Sequence, residues 1–109
     1  MFNDFYGITR WGDGLVDVLQ NGNVGLKDPL NPDAQAVDLA EIIQKLEKRG
    51  IQTPVLLTVS NFLEHSIQAI IESFCFAIKE LEYGGEYRGV FPIKVNQQAH
   101  VVERISKYG

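Results

Sequence analysis

Lys94 is the residue of this sequence that is best placed for covalent chemistry. It lies near the end of the run Tyr87–Val95, whose apolar and β-branched residues predict a buried strand, and Asn96 then signals the start of a helix. A lysine at the carboxyl end of a strand in a βα unit can be partly desolvated, which disfavours the charged ammonium. The neutral amine attacks aldehydes and forms a Schiff base, although a lysine that simply extends from the strand end into solvent is the more common alternative.

The other residues with chemically useful side chains have simpler structural interpretations. His65 and His100 lie on predicted helices, where we expect surface or rim positions, with a catalytic role as the less common alternative. Cys75 stands between Phe74 and Phe76 and is expected to pack as a small apolar residue. The acidic residues of the predicted helices are expected to form a solvated face. They are Glu41, Glu47, Glu64, Glu72, Glu80 and Glu82. None of them forms a metal-ligand pattern with a histidine, so no metal site is predicted in this chain.

The first part of the chain predicts a β-hairpin. Asn21-Gly22 separates the short apolar runs Leu15–Val18 and Val24–Leu26, and in a two-residue hairpin turn both central residues favour positive φ. We expect Trp11 to cover this hairpin as a core residue, and a binding platform formed by Trp11 with Arg10 is the alternative.

An irregular connector, Asp28–Ala36, separates the hairpin from a short amphipathic helix. Its prolines and turn-forming residues argue against regular structure. Asp38 then stands three residues before Glu41, which is the spacing of a capping box, and apolar residues follow at helical intervals as far as Gly50.

The second part of the chain predicts the order strand, helix, strand, helix. Thr53–Val59 is typical of a buried strand, and Asn61 opens a long amphipathic helix that ends at Gly84. The strand of Lys94 and a final helix follow, and this alternation indicates a parallel sheet. Two parallel strands alone leave unpaired edges, so the sheet is expected to be incomplete in this chain. Pro92 has no N–H to donate, so the backbone around it is expected to leave regular ladder pairing and to direct Lys94 toward a cavity at the carboxyl end of the strand.

The composition is that of an ordinary globular domain. The chain has 109 residues, of which 45% are hydrophobic and 22% charged, and this length allows one core. A net charge of −4 without a basic patch argues against a nucleic-acid partner. The apolar stretches are too short or too interrupted to span a membrane, and the first residues do not resemble a secretory signal. A single cysteine suits a reducing compartment, so the expected location is the cytoplasm.

Two blocks of the sequence carry recognisable motifs. In Phe91–Gln97, FPIKVNQ, an aromatic residue, a proline and a small aliphatic residue precede Lys94, and Val-Asn-Gln follows. In Tyr6–Gly14, YGITRWGDG, an Arg-Trp-Gly turn opens the strand Val16–Val18, which contains an aspartate. The first block resembles the cofactor-lysine motif, and the second the amino-terminal signature, of the biosynthetic arginine decarboxylases, which are pyridoxal-phosphate enzymes. The resemblance covers nearly the whole chain.

This resemblance implies a fold class and a domain organisation. The class is α/β, and the chain would be the amino-terminal fragment of a larger protein. Residues 1–36 would be a β-hairpin segment and connector belonging to a second, β-rich domain that later strands complete. Residues 37–109 would be a helix followed by the first βαβα part of a pyridoxal-phosphate-binding, TIM-like βα barrel.

The resemblance also implies a reaction. Family members are lyases that decarboxylate L-arginine to agmatine and carbon dioxide in polyamine and spermidine biosynthesis, and Lys94 would be the catalytic lysine that binds pyridoxal phosphate. A homo-oligomer and the use of magnesium are implied in the same way. Residues that bind the phosphate, the pyridine nitrogen, the guanidinium and magnesium would lie outside this chain, so the fragment alone is expected to be inactive.

Two other classes of protein remain open. One is a barrel-only pyridoxal-phosphate carrier protein that binds the cofactor without turnover, against which the Arg-Trp-Gly block and the hairpin argue. The other is a non-enzymatic interaction module in which Lys94 is incidental and the open strand edges are buried against a partner. The mass of the native protein distinguishes them, because only the decarboxylase requires a chain several times longer.

Overall fold

The computed structural model describes residues 2–108, with side chains from residue 4 onward, as a mixed α/β chain. The chain divides into two compact units, one up to Thr58 and the other from Val59. Within the described residues, the first unit has a small antiparallel sheet with three helices, and the second has two helices and a 3₁₀ turn. The mixed α/β class is as predicted, whereas the described residues do not form a barrel.

The first unit is organised around a three-stranded antiparallel sheet. Its elements are α1 (Phe2–Phe5), α2 (Ile8–Trp11), β1 (Val16–Val18), β2 (Val24–Leu26), β3 (Val37–Asp38) and α3 (Leu39–Lys48). The strands lie in the order β1–β2–β3, with Val16 opposite Leu26 and Gly25 opposite Asp38. The sequence predicted β1, β2 and α3 but not α1, α2 or β3, because elements this short develop no periodic pattern.

The hairpin of β1 and β2 closes through a three-residue loop and not through a two-residue turn. The Leu19 N–H donates to the Asn23 carbonyl oxygen over 2.8 Å, and the Gly22 N–H donates to the Leu19 carbonyl oxygen over 2.9 Å. Of Asn21 and Gly22, only Gly22 has a positive φ, at 86°. A left-handed glycine that follows a tight turn is common in three-residue hairpin loops. The predicted hairpin is confirmed, and the prediction of a positive φ at Asn21 is wrong.

Ile8, and not Trp11, is the residue of α2 that is buried. Ile8 is 5% exposed and Trp11 is 61% exposed, with the indole Nε1 donating to the Tyr6 carbonyl oxygen over 3.1 Å. A Cβ on Gly12 would lie 2.6 Å from the Ile8 carbonyl oxygen and 3.3 Å from the Val16 Cβ, so β1 approaches α2 closely there. A helix of four residues buries only one face, and that face carries Ile8. The prediction that Trp11 is a core residue is therefore wrong.

The carboxylate of Asp38 ties the hairpin loop to the start of α3. Its Oδ2 accepts hydrogen bonds from the Nδ2 groups of Asn21 and Asn23 over 2.9 Å and 2.8 Å. Its Oδ1 accepts from the backbone N–H groups of Ala40 and Glu41 over 2.9 Å and 3.3 Å. Asp38 is thus the N-cap of α3, as its sequence spacing predicted.

These hydrogen bonds also change the acidity of Asp38. The Asn23 amide, followed by the Asn21 amide and the two backbone N–H groups, stabilises the charged carboxylate and holds the pKa of Asp38 below its ordinary value of 3.8. Burial acts in the opposite direction, since the residue is only 8% exposed, but the hydrogen bonds outweigh it.

The second unit consists of the long helix α4 (Ser60–Glu80), the 3₁₀ turn Ile93–Val95 and the helix α5 (Ala99–Tyr108). The two helices pack against each other, and Val101 of α5 is 7% exposed. Helix α4 begins one residue before Asn61, and Val59 occupies its N-cap position without a side-chain hydrogen bond. The predicted N-cap at Asn61 is therefore wrong, because Asn61 already lies in the first helical turn.

Helices α3 and α4 end in the same way, with one residue in the left-handed conformation. At α3 this residue is Gly50, with a φ of 82°, and the next N–H, that of Ile51, donates to the Leu46 carbonyl oxygen over 3.0 Å. At α4 the corresponding residue is Glu82, with a φ of 47°. The predicted stop at Gly84 is wrong by two residues, and a non-glycine residue there costs about 1–2 kcal/mol.

Two strands predicted from the sequence are not formed by the described residues. Thr53–Val59 is irregular, and Tyr87–Val95 is irregular up to the 3₁₀ turn at its end. Both runs have the composition of buried strands, but a strand forms only where a neighbouring backbone completes its hydrogen bonds. The parallel strand pair is therefore absent from the part of the chain that the structure describes. Because no ladder forms beside Pro92 in the described residues, its departure from regular ladder pairing stays a prediction.

Replacing Asp38 with alanine should destabilise the first unit. The substitution removes the acceptor for Asn21, for Asn23 and for the first N–H groups of α3. We expect the midpoint of thermal unfolding, followed by circular dichroism, to fall by about 5–10 °C. The matched control is Asp33→Ala, at an exposed connector acid, which should move the midpoint by no more than about 1 °C. Equal midpoints for the two variants would contradict the role of Asp38.

The stabilisation from Asp38 should disappear in acid. The unfolded chain binds the Asp38 proton at a higher pH than the folded chain does, so the free energy of unfolding rises with pH between the two pKa values. The contribution is fully present well above pH 3.8 and is lost as the pH falls through the lowered pKa of the folded state. Urea unfolding of the unmodified chain and of Asp38→Ala between about pH 2 and 6 measures this. The stability difference should shrink toward low pH, and a constant difference would refute the assignment.

Candidate functional site

Lys94 occupies the middle of the 3₁₀ turn Ile93–Val95 and is exposed to solvent. The turn follows Pro92 and is closed by the Asn96 N–H, which donates to the Ile93 carbonyl oxygen over 3.0 Å. A tight turn, and not a strand end, therefore presents the lysine in this chain. Its orientation toward a barrel cavity stays a prediction.

The segment around this lysine is apolar and open to solvent. Ile93 is 53% exposed, Val95 is 67% exposed and Val90 is 90% exposed. Tyr87, earlier in the segment, stacks on Phe74 of α4, with ring centroids 4.4 Å apart and 6° between the ring planes. Apolar side chains this exposed, in a run with the composition of a buried strand, form a surface whose burial against further protein would be favourable.

Lys94 has no carboxylate partner among the described residues. The ion pairs there are Asp17 with Lys27, Glu41 with Lys45, and Glu86 with Arg88. An opposite charge close to an amine would stabilise the ammonium form. No such charge lies beside Lys94 in the part of the chain that the structure describes.

The histidines lie where the sequence predicted, whereas the cysteine does not. His65 on α4 and His100 on α5 are exposed. Cys75 is exposed as well, and the adjacent Phe74 and Phe76 are 51% and 67% exposed. The prediction that Cys75 packs as a small apolar residue is wrong, because Cys75 is exposed to solvent on α4.

The acidic residues of the helices do not gather into a site. Most of the predicted surface acids are exposed, and Glu64 is half-buried. In the part of the chain that the structure describes, no group of three or more His, Cys, Asp or Glu side chains could hold a metal ion.

Two surface pockets are described in the first unit. One, of about 540 Å³, includes Asp38 and Glu41, and the other, of about 480 Å³, includes Tyr6 and Arg10. Both oxygens of Asp38 already accept hydrogen bonds from the chain, so the larger pocket contains a structural carboxylate and not a free acid. Sequence reasoning identified Asp38 only as a helix cap. The signal for its other role was the pair of asparagines on either side of Gly22.

Proteins similar to this chain include biosynthetic arginine decarboxylases. The biosynthetic arginine decarboxylase of Synechococcus sp. (strain RCC307) is 38% identical over 104 residues, or 95% of this chain. Those of Prochlorococcus marinus (strain MIT 9303) and Gloeobacter violaceus (strain ATCC 29082 / PCC 7421) are each 36% identical, over 95% and 97% of the chain. These matches confirm the resemblance that the two motifs predicted. No protein-family model matches the chain.

The similarity is limited to part of the relatives. The chain spans 16% of the length of each of the three proteins.

Within the described residues, no helix is long and apolar enough to cross a membrane.

The exposure of Lys94 predicts its reactivity in this chain. Acetic anhydride should acylate Lys94 several-fold faster than Lys27, because the Asp17 carboxylate lies 2.7 Å from the Lys27 Nζ and blocks one side of that amine. Lys48, an exposed residue of α3, is the reference for an open lysine. Peptide mass spectrometry after brief labelling gives the three rates. Slower labelling at Lys94 than at Lys27 would show that the lysine is covered.

Proposed function

We propose that this chain is the amino-terminal part of an enzyme that decarboxylates L-arginine to agmatine and carbon dioxide for polyamine and spermidine biosynthesis. The observation that carries the proposal is 38% identity to a biosynthetic arginine decarboxylase over 95% of the chain. The lysine motif at Phe91–Gln97 supports the same chemistry. Because the chain spans 16% of such relatives, the activity is proposed for the whole, much longer protein.

In the proposed enzyme the run Thr53–Val59, and the run Tyr87–Val95 as far as the 3₁₀ turn at its end, are strands of a TIM-like βα barrel that strands outside this chain complete. In support, Leu56 is 77% exposed in the first unit and Val90 is 90% exposed in the second, although both runs have the composition of buried strands. Burying an apolar side chain of this size stabilises a protein by about 1.5–3 kcal/mol. The open segments would therefore gain stability from neighbouring strands.

Lys94 is proposed to bind pyridoxal phosphate through its Nζ. When bound, this cofactor accepts the electrons released as the carboxylate of an amino acid leaves as carbon dioxide. The residues present fit the aldehyde end of the cofactor. Lys94 supplies an exposed primary amine without a carboxylate partner, and Ile93 and Val95 provide apolar surface beside it.

The contribution of this chain to the reaction is to hold and position that amine. Nζ must lose a proton before it can bond to an aldehyde carbon, and a water-poor barrel end would promote the loss by disfavouring the ammonium. The 3₁₀ turn and the packed helix α5 that follows it hold the Lys94 backbone. The amine is thus attached to an ordered part of the second unit.

Other components of the proposed enzyme lie outside this chain. They are the groups that bind the cofactor phosphate, the pyridine nitrogen and the substrate guanidinium. Magnesium binding belongs with them, since the described residues offer no cluster of metal ligands. A homo-oligomeric state and a cytoplasmic location complete the proposal and rest on the resemblance alone.

The Lys94 amine is tested in the full-length protein. Lys94→Ala should remove the absorbance band of the covalently bound cofactor and lower decarboxylation by roughly 10³-fold or more, because the substitution removes the proposed nucleophile. Lys48→Ala, at an exposed lysine of α3, is the matched control and should retain activity. Carbon dioxide release and absorbance spectra measure the two effects. Full activity in Lys94→Ala would remove Lys94 from the mechanism, and cofactor binding without turnover in the unmodified protein would indicate a carrier protein.

A further inference from the structure

Asn96 is hydrogen-bonded to the chain on both sides of it. Its N–H donates to the Ile93 carbonyl oxygen over 3.0 Å and closes the turn that carries Lys94. Its side-chain Oδ1 accepts from the Gln98 N–H over 3.2 Å. One residue therefore joins the lysine turn to the residue from which α5 starts.

Gln98 connects Asn96 with the packed part of the second unit. The Gln98 carbonyl oxygen accepts from the N–H groups of Val101 and Val102 over 3.0 Å and 3.1 Å. Val101 is 7% exposed, and its helix packs against α4. The hydrogen bonds thus run from the lysine turn through Asn96 and Gln98 to a buried residue.

The backbone at Asn96 does not by itself require asparagine. Its φ of −151° and ψ of 101° lie in the extended region that most residues adopt. The turn is closed by a backbone N–H, which almost any residue would supply. What asparagine adds is the Oδ1 acceptor, since a side-chain amide of this length reaches the N–H two residues further on.

We propose that Asn96 is a positioning residue for Lys94, acting through its hydrogen bond to the Gln98 N–H. The inference rests on the proposed role of Lys94 as the cofactor lysine. The bond holds the segment between the turn and α5 in place, and it thereby sets the direction from which the Lys94 amine approaches an aldehyde. Covalent reactions of bound groups are sensitive to displacements of about 1 Å, so a looser segment lowers the rate without removing the nucleophile.

The experiment compares variants of the full-length protein. Asn96→Ala removes the acceptor and keeps the backbone, Asn96→Asp keeps an oxygen that accepts the same bond, and Asn31→Ala makes the matched substitution at an exposed connector residue. Pyridoxal phosphate is added at saturation and trapped with borohydride, and peptide mass spectrometry follows its rate of attachment to Lys94. Decarboxylation gives kcat and KM, and thermal unfolding gives the stability of each variant.

We expect Asn96→Ala to slow the attachment of pyridoxal phosphate to Lys94 and to lower kcat, each by about three- to tenfold, the effect of losing one hydrogen bond. KM for arginine should not change, since no substrate contact is removed. Asn96→Asp should restore most of both rates, and Asn31→Ala should match the unmodified protein. A loss of stability would lower kcat only by reducing the folded fraction, which the thermal unfolding of each variant measures separately.

Two results would overturn the inference while leaving the proposed function intact. One is an Asn96→Ala variant that attaches the cofactor to Lys94 at the unmodified rate. The other is an Asn96→Asp variant as slow as Asn96→Ala while equally stable, because the hydrogen bond would then not be the cause. Attachment of the cofactor to a different lysine in the unmodified protein would instead overturn the proposed function and this inference with it.

Discussion

Asp38 accepts hydrogen bonds from Asn21 and Asn23 of the hairpin loop with one carboxylate oxygen and from the first N–H groups of α3 with the other. It is also the last residue of β3 and pairs with Gly25 of β2. The hairpin, the third strand and α3 therefore meet at one carboxylate. A carboxylate that is only 8% exposed is tolerated because both of its oxygens have partners, and the order of this unit depends on that condition.

The second unit also contains helices, but its described residues form no sheet. Its order comes from the packing of α4 and α5 and from the stacking of Tyr87 on Phe74. Backbone groups of an isolated extended segment gain nothing over their hydrogen bonds to water, so strand-like residues remain irregular until neighbouring strands are present. Lys94 is consequently exposed on a turn, and solvent-exposed apolar residues such as Val90 precede it in the sequence.

This arrangement bears on the proposed decarboxylase. The part of the proposed site that this chain would supply is a single amine, which the turn and Asn96 connect to a packed helix. The motif around Lys94 was readable from the sequence because it is a short contiguous pattern, and the relatives confirm the family resemblance on which its interpretation depends. The hydrogen bond from the Gln98 N–H to Asn96 could not be predicted from the sequence, because many side chains are compatible with the same backbone conformation. The buried carboxylate of Asp38 was recognised for its local cap alone.

By itself the sequence determined the elements whose signals are local: the hairpin, the helix capped by Asp38, the two later helices, and the motif at Lys94. Capping and helical periodicity act between residues a few positions apart, so they need no knowledge of the rest of the chain. Only the tertiary structure decided that Trp11 and Cys75 face solvent and that Thr53–Val59 forms no strand. Burial and strand pairing each require a partner surface or backbone from elsewhere in the protein, and a linear pattern shows the capacity for such a contact but not whether the partner is there.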